Sequence, residues 1–133
     1  PFLHIADATG QAILSGGLER VGLLGTRFTM EKDFYKKKLA ADHGIQTLVP
    51  GAEQREIVHR IIYEELVQGV LREASRETFR EIISGLAERG AEGVVLGCPE
   101  IPLLISPGDV EIPVFDTTRI HVEEAISMAL NDR

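Results

Sequence analysis

Gly93-Val94-Val95-Leu96-Gly97-Cys98-Pro99-Glu100-Ile101-Pro102 carries the clearest fold signal in the chain. Its first five residues, G-V-V-L-G, form an unbroken apolar run between glycines. A strand buried on both faces of a parallel sheet has that pattern. Residues 20–25 (R-V-G-L-L-G) repeat it, and residues 45–49, closed by Pro50-Gly51, read as another buried strand. Residues 2–6 and 112–115 read as shorter strands.

Helical periodicity fills the intervals. Residues 8–14 suit a short helix stopped by Gly16-Gly17. Residues 31–43 carry Phe34, Leu39 and Ala40 at helical spacing, with Gly44 where a C-cap glycine belongs. Ile57, Val58, Ile61, Ile62, Leu66 and Val67 form a buried stripe, and Gly69 either interrupts this helix or lets it pack closely. Phe79, Ile82, Ile83 and Leu86 line one face of a helix over residues 75–89, ended by Gly90. Residues 117–130 form a last amphipathic helix, with Ile120, Ala125, Ile126 and Met128 inward. The order β-α-β-α-β-α-α-β-(α)-β-α predicts one α/β domain, a parallel sheet flanked by helices on both faces.

Composition narrows the function classes. The chain has 133 residues, 44% apolar and 26% charged, enough for one main core. No apolar run approaches the roughly 18 residues of a membrane span, and no signal-peptide pattern opens the chain. A net charge of −7 argues against nucleic acid or an anionic membrane as the main partner. The single cysteine excludes an internal disulfide framework and fits a reducing, cytoplasmic setting. With four scattered histidines it makes no metal-ligand spacing. The chain begins at Pro1 without an initiator Met, and we expect it to be part of a larger protein.

In a parallel α/β sheet, ligands bind outside the carboxyl ends of the strands. Two segments fall on that edge. Gly25-Thr26-Arg27-Phe28-Thr29-Met30 follows the strand at 20–25 and brings two hydroxyls and a helix start, which suit a carboxylate or phosphate. Equally, Thr29 reads as an ordinary N-cap. Gly97-Cys98-Pro99-Glu100 stands at the end of the strand at 93–97. A thiol at a helix N-terminus has its pKa lowered, which makes a usable thiolate. Gly97 permits close backbone approach, and Glu100 suits a helix N-terminus electrostatically. The same position also suits an inert, buried cysteine, and position alone leaves both readings open. His43 and His59 read as surface helix residues, His4 as a candidate for burial, and His121 as part of the first turn of the last helix.

Five segments together carry a family likeness. P-F-L-H-I-A-D-A-T from Pro1, G-L-L-G-T-R-F-T-M-E-K-D-F-Y from Gly22, I-I-Y-E-E-L from Ile61, G-A-E-G-V-V-L-G-C-P-E-I from Gly90 and P-V-F-D-T from Pro113 resemble the aspartate/glutamate racemase family. The likeness covers essentially the whole chain, in order. It implies a cofactor-independent enzyme of two similar α/β lobes, with one cysteine per lobe facing the substrate's Cα from opposite sides. Cys98 matches the second of those cysteines. The resemblance therefore implies that residues 1–133 are the C-terminal lobe, with residues 1–14 and 113–133 packing on, or belonging to, an N-terminal lobe that holds the other thiol.

The expected activity is thus racemisation of Asp or Glu, with no metal and no cofactor. Cys98 is the expected acid/base thiol. Thr26, Arg27, Thr29, Gly97, Pro99 and Glu100 are the expected substrate-binding residues, in a homo-oligomeric enzyme. Two departures stand out. Pro99 occupies the place where the family usually has Thr, which removes a hydroxyl and an N–H donor, a loss worth roughly 1–3 kcal/mol in a dry site. Some aspartate racemases carry a lysine for a substrate carboxylate on the helix that here holds Val67 and Gln68. Arg27 or the other lobe would then supply the cation. Hydantoin racemases, maleate isomerases and arylmalonate decarboxylases share the architecture, and a catalytically inactive binding lobe is the alternative outside enzymology.

Overall fold

Alternation along two central strands sorts the core into two layers. The computed structural model describes residues 5–131. In β1 (Arg20–Leu24) and β3 (Gly93–Leu96), Val21, Leu23 and Val95 are buried in one apolar cluster. Leu24, Val94 and Leu96 enter the other, as period-2 alternation requires. Both faces are therefore covered. Among the described residues the sheet has four strands in the order β2-β1-β3-β4, all neighbours parallel. The outer strands are β2 (Gln46–Leu48) and β4 (Val114–Asp116).

The larger layer is built from α4 (Ala52–Ile61), a π-helical turn (Ile62–Leu66), α5 (Glu73–Glu88) and the single turn α6 (Ile101–Leu104). Val58, Ile61, Ile62, Leu66, Phe79, Ile82, Ile83 and Leu86 from these helices pack on the sheet. The smaller layer uses Ile13 of α1 (Ile5–Ser15) and Leu39 of α3 (Phe34–His43). The final helix, α7 (Thr117–Asn131), lies on α1. Gly44 caps α3 in the left-handed region at φ 66°, a conformation that costs glycine nothing.

Several expectations are corrected. Residues 5 and 6, read as part of a strand, begin α1; residues 2–4 lie outside the described residues. The strand expected over 45–49 is shorter, Gln46–Leu48, and is an edge strand rather than a buried one. Gln46 is exposed, while Thr47 and Leu48 are half-buried, because β2 pairs with β1 alone. The helix expected over 31–43 breaks at Lys32-Asp33 into α2 (Arg27–Glu31) and α3. Phe34 and Ala40 are consequently exposed, leaving Leu39 as the buried residue of α3.

The stripe after Ile57 ends early for a different reason. The Val67 amide donates to Ile62 O, an i→i−5 bond at 2.9 Å, so the π turn rotates the chain and turns Val67 outward. In α7 only Thr117 is buried. Ala125 and Ile126 face solvent, and Ile120 and Met128 are partly covered.

Candidate active site

The carboxyl ends of β1 and β3 lie side by side, because the two strands pair from Val21–Gly93 to Leu24–Leu96. The loops that leave them are therefore neighbours. Gly97 N–H donates to Leu24 O at 2.8 Å, extending the pairing by one rung. A Cβ on Gly97 would stand 3.2 Å from both Leu24 O and Thr29 Cγ2, and one on Gly25 would stand 3.0 Å from Thr29 Cγ2. Thr29 thus sits over two glycines, and any side chain at either would push it away. Thr26 caps α2, its Oγ1 accepting from Thr29 N at 3.4 Å and lying 3.3 Å from Thr29 Oγ1. Two hydroxyls and the cysteine loop are brought together at the sheet edge, as the sequence predicts.

Cys98 is 7% exposed, and its thiol donates to Glu100 Oε2 at 2.8 Å. The expected lowered thiol pKa is corrected: Cys98 is raised from 9.0 to about 11. Burial is the largest cause, and the Glu100 carboxylate adds to it by accepting the thiol proton and by its charge. The amides of Glu100 and Ile101 pull the other way and lose. The helix behind them, α6, is a single turn of 4 residues, too short to bring much of a dipole. Cys98 rests as a protonated acid. Pro99 is exposed in the turn between Cys98 and α6.

Arg27 is placed differently. Its guanidinium forms an ion pair with Glu56 of α4, including an Nη2–Oε2 bond of 2.6 Å. That pairing raises the Arg27 pKa and holds the Glu56 carboxyl below its ordinary range. The two residues line a shallow groove of about 380 Å³ with His59, Arg60, Tyr63 and Glu64, and Cys98 is not part of it.

Sequence reasoning missed three residues around the site. Thr117, buried at the start of α7, donates to Leu96 O at 3.0 Å, two residues before the cysteine. Burial raises the phenol pKa of Tyr35 on α3, which lies close to Thr117. His59, read as a surface residue, is partly buried and accepts the Arg27 amide at Nδ1, 2.8 Å away. Hydroxyls and imidazoles at helix positions give no local signal of such partners. His43 is likewise corrected: its side chain is 10% exposed, fills the space above Gly10, and lies 3.3 Å from Asp7 Oδ1. Among the described residues no cluster of three or more His, Cys, Asp or Glu has the arrangement to hold a metal. No helix there is long and apolar enough to cross a membrane.

A profile of the Asp/Glu/Hydantoin racemase family matches residues 1–125. The chain belongs to that family. This racemase-family lobe superposes on a candidate Asp/Glu racemase from Yersinia pestis with a TM-score of 0.93 and 48% identity, over 98% of this chain and 56% of the other. An aspartate racemase homologue from Pyrococcus horikoshii OT3 gives 0.91 and 43%, over 97% and 56%. An aspartate racemase from Picrophilus torridus gives 0.77 and 29%, over 96% and 52%. An uncharacterized protein in the pnlA 3′ region of Pectobacterium carotovorum is 30% identical over 104 residues, 78% of this chain and 67% of its own length. The chain spans just over half the length of the solved racemase structures that it matches.

Proposed function

We propose that the complete protein is a cofactor-independent amino-acid racemase of the aspartate/glutamate type, with this chain as its C-terminal lobe. The observation that carries the reading is the Cys98–Glu100 pair: a nearly buried thiol, 2.8 Å from a carboxylate, beside the Thr26–Thr29 hydroxyls. Inverting a stereocentre needs an acid and a base on opposite faces of Cα, and Cys98 is one of them. In one direction a base on the other lobe removes the α-proton. The C–H electron pair moves into the substrate carboxylate, and Cys98 Sγ–H delivers its proton to the opposite face. That delivery leaves Cys98 a thiolate and the other lobe's base protonated, and the reverse direction starts from this state. The thiolate then takes the α-proton, and the other lobe's acid supplies the replacement.

Thr26 and Thr29 hold the substrate carboxylate through their hydroxyls, where fixed donors favour the charge that develops. Gly97 lets the substrate approach the strand end. Arg27 becomes the cation for a second carboxylate by exchanging Glu56 for substrate, an exchange that the exposure of both side chains permits. The N-terminal lobe covers segments 1–14 and 113–133, where Leu14, Val122, Ile126 and Leu130 leave apolar surface exposed. A second reading, a hydantoin-type or related substrate, is favoured by Pro99, which withholds one donor from the site.

The test is to follow the α-proton of each enantiomer of Asp and Glu by NMR in deuterated water with the complete protein. Racemisation accompanied by exchange supports the reading. Exchange with a hydantoin or a malonate derivative, and none with amino acids, replaces it. Ligand binding without any exchange leaves only a binding lobe.

A further inference from the structure

The Thr26–Thr29 turn opens a short helix. The helix that follows Thr26, α2, has only 5 residues, and the Thr26 cap bond is long at 3.4 Å. The amide of Arg27 precedes any possible intrahelical acceptor and would ordinarily go to water. Here it is taken by His59 Nδ1 at 2.8 Å, across 32 residues of sequence. Glu56, one turn earlier on α4, grips the side chain of the same residue. Residue 27 is therefore clamped at backbone and side chain by one face of α4. The His59 ring is itself steadied against Tyr63, with centroids 4.7 Å apart.

We propose that His59 is a positioning residue: its unprotonated Nδ1 pins the Arg27 amide and so holds the two threonine hydroxyls in place beside the cysteine loop. An imidazole nitrogen that accepts an N–H carries no proton, so the ring is neutral with its hydrogen on Nε2. The requirement is for an acceptor at one atom, not for bulk or charge. Asparagine places Oδ1 where Nδ1 stands, glutamine places its oxygen one bond further out, and leucine offers volume alone. The consequence for substrate affinity rests on the racemase reading, whereas the tether itself does not.

The experiment uses the complete protein and the variants His59→Asn, His59→Gln and His59→Leu. In the wild type, ¹⁵N NMR should show a pyridine-type Nδ1 and a pyrrole-type Nε2, with the Arg27 amide slow to exchange. His59→Asn should keep that protection and a KM within about twofold of wild type. His59→Leu and His59→Gln should lose the protection and raise KM roughly tenfold, as loss of one hydrogen bond does, with kcat changed far less. A proton on Nδ1, or an Asn variant no better protected than the Leu variant, overturns the proposal. If no tested acid is turned over, the racemase reading fails, and Arg27 amide exchange across the same variants still decides the role of His59.

Discussion

Cys98 Sγ donates to Glu100 Oε2 across 2.8 Å, so the thiol sits directly against a carboxylate. With its pKa at about 11, roughly one thiol in ten thousand is ionised at pH 7. At neutral pH the thiol is protonated, and burial together with the Glu100 carboxylate keeps it so.

Alkylation of Cys98 by iodoacetamide in the 133-residue chain should accordingly be slow at neutral pH, rising about tenfold per pH unit to a plateau near 11. Glu100→Gln should shift the profile to lower pH, because it removes the negative charge that opposes ionisation. The linked stability has a definite sign. The folded pKa lies above the value of 9.0 for a free thiol, so stability is unaffected below about 9 and falls as pH rises from there to about 11. Cys98→Ala should remove that part of the slope. A plateau near or below 9 contradicts this environment.

Thr117→Val should cost about 1–3 kcal/mol, because the isosteric change strands the buried Leu96 carbonyl that Thr117 Oγ1 now satisfies at 3.0 Å. Urea titration measures it as a lower midpoint at constant m. A neutral result would mean that Leu96 O finds another donor.

How far the sequence could be read follows from what each signal reports. β1 and β3 are legible because central strands are buried on both faces, so Val21, Leu23, Val94 and Val95 appear as unbroken apolar runs. β2 misleads because residues 45–49 include Ile45, which is buried, while the paired residues Gln46–Leu48 form a half-wet edge. The π turn at Ile62–Leu66 is invisible, since nothing in I-Y-E-E-L announces an i→i−5 bond. In the site, Cys98, Thr26 and Thr29 could be placed by strand-end logic. The raised thiol pKa could not, because it depends on burial and on where the Glu100 carboxylate turns. Contacts 32 and 21 residues apart, His59 to Arg27 and Thr117 to Leu96, are set by packing alone.

Gly25→Ala should leave the fold intact and weaken substrate binding. The new methyl would stand 3.0 Å from Thr29 Cβ and Cγ2, so Thr29 has to move by a few tenths of an ångström. In the complete protein KM should rise while kcat changes less. Unchanged KM would remove Thr29 from the substrate site.

Phe79→Ala should destabilise by about 3–5 kcal/mol, since Phe79 is fully buried between α5 and the sheet. Leu103→Ala, at a side chain 60% exposed, should stay within about 0.5 kcal/mol. Comparable losses for the two would contradict the placement of the core.

The role of Cys98 is read out by α-proton exchange in the Cys98→Ser variant of the complete protein, followed by NMR in deuterated water for each enantiomer separately. If each lobe serves one face of Cα, the variant loses racemisation and loses exchange for the enantiomer whose base is Cys98. It keeps slow exchange for the other, whose base lies on the opposite lobe, because a serine hydroxyl fills the site without taking an α-proton. Equal and undiminished exchange of both enantiomers would show that Cys98 is not an acid/base group.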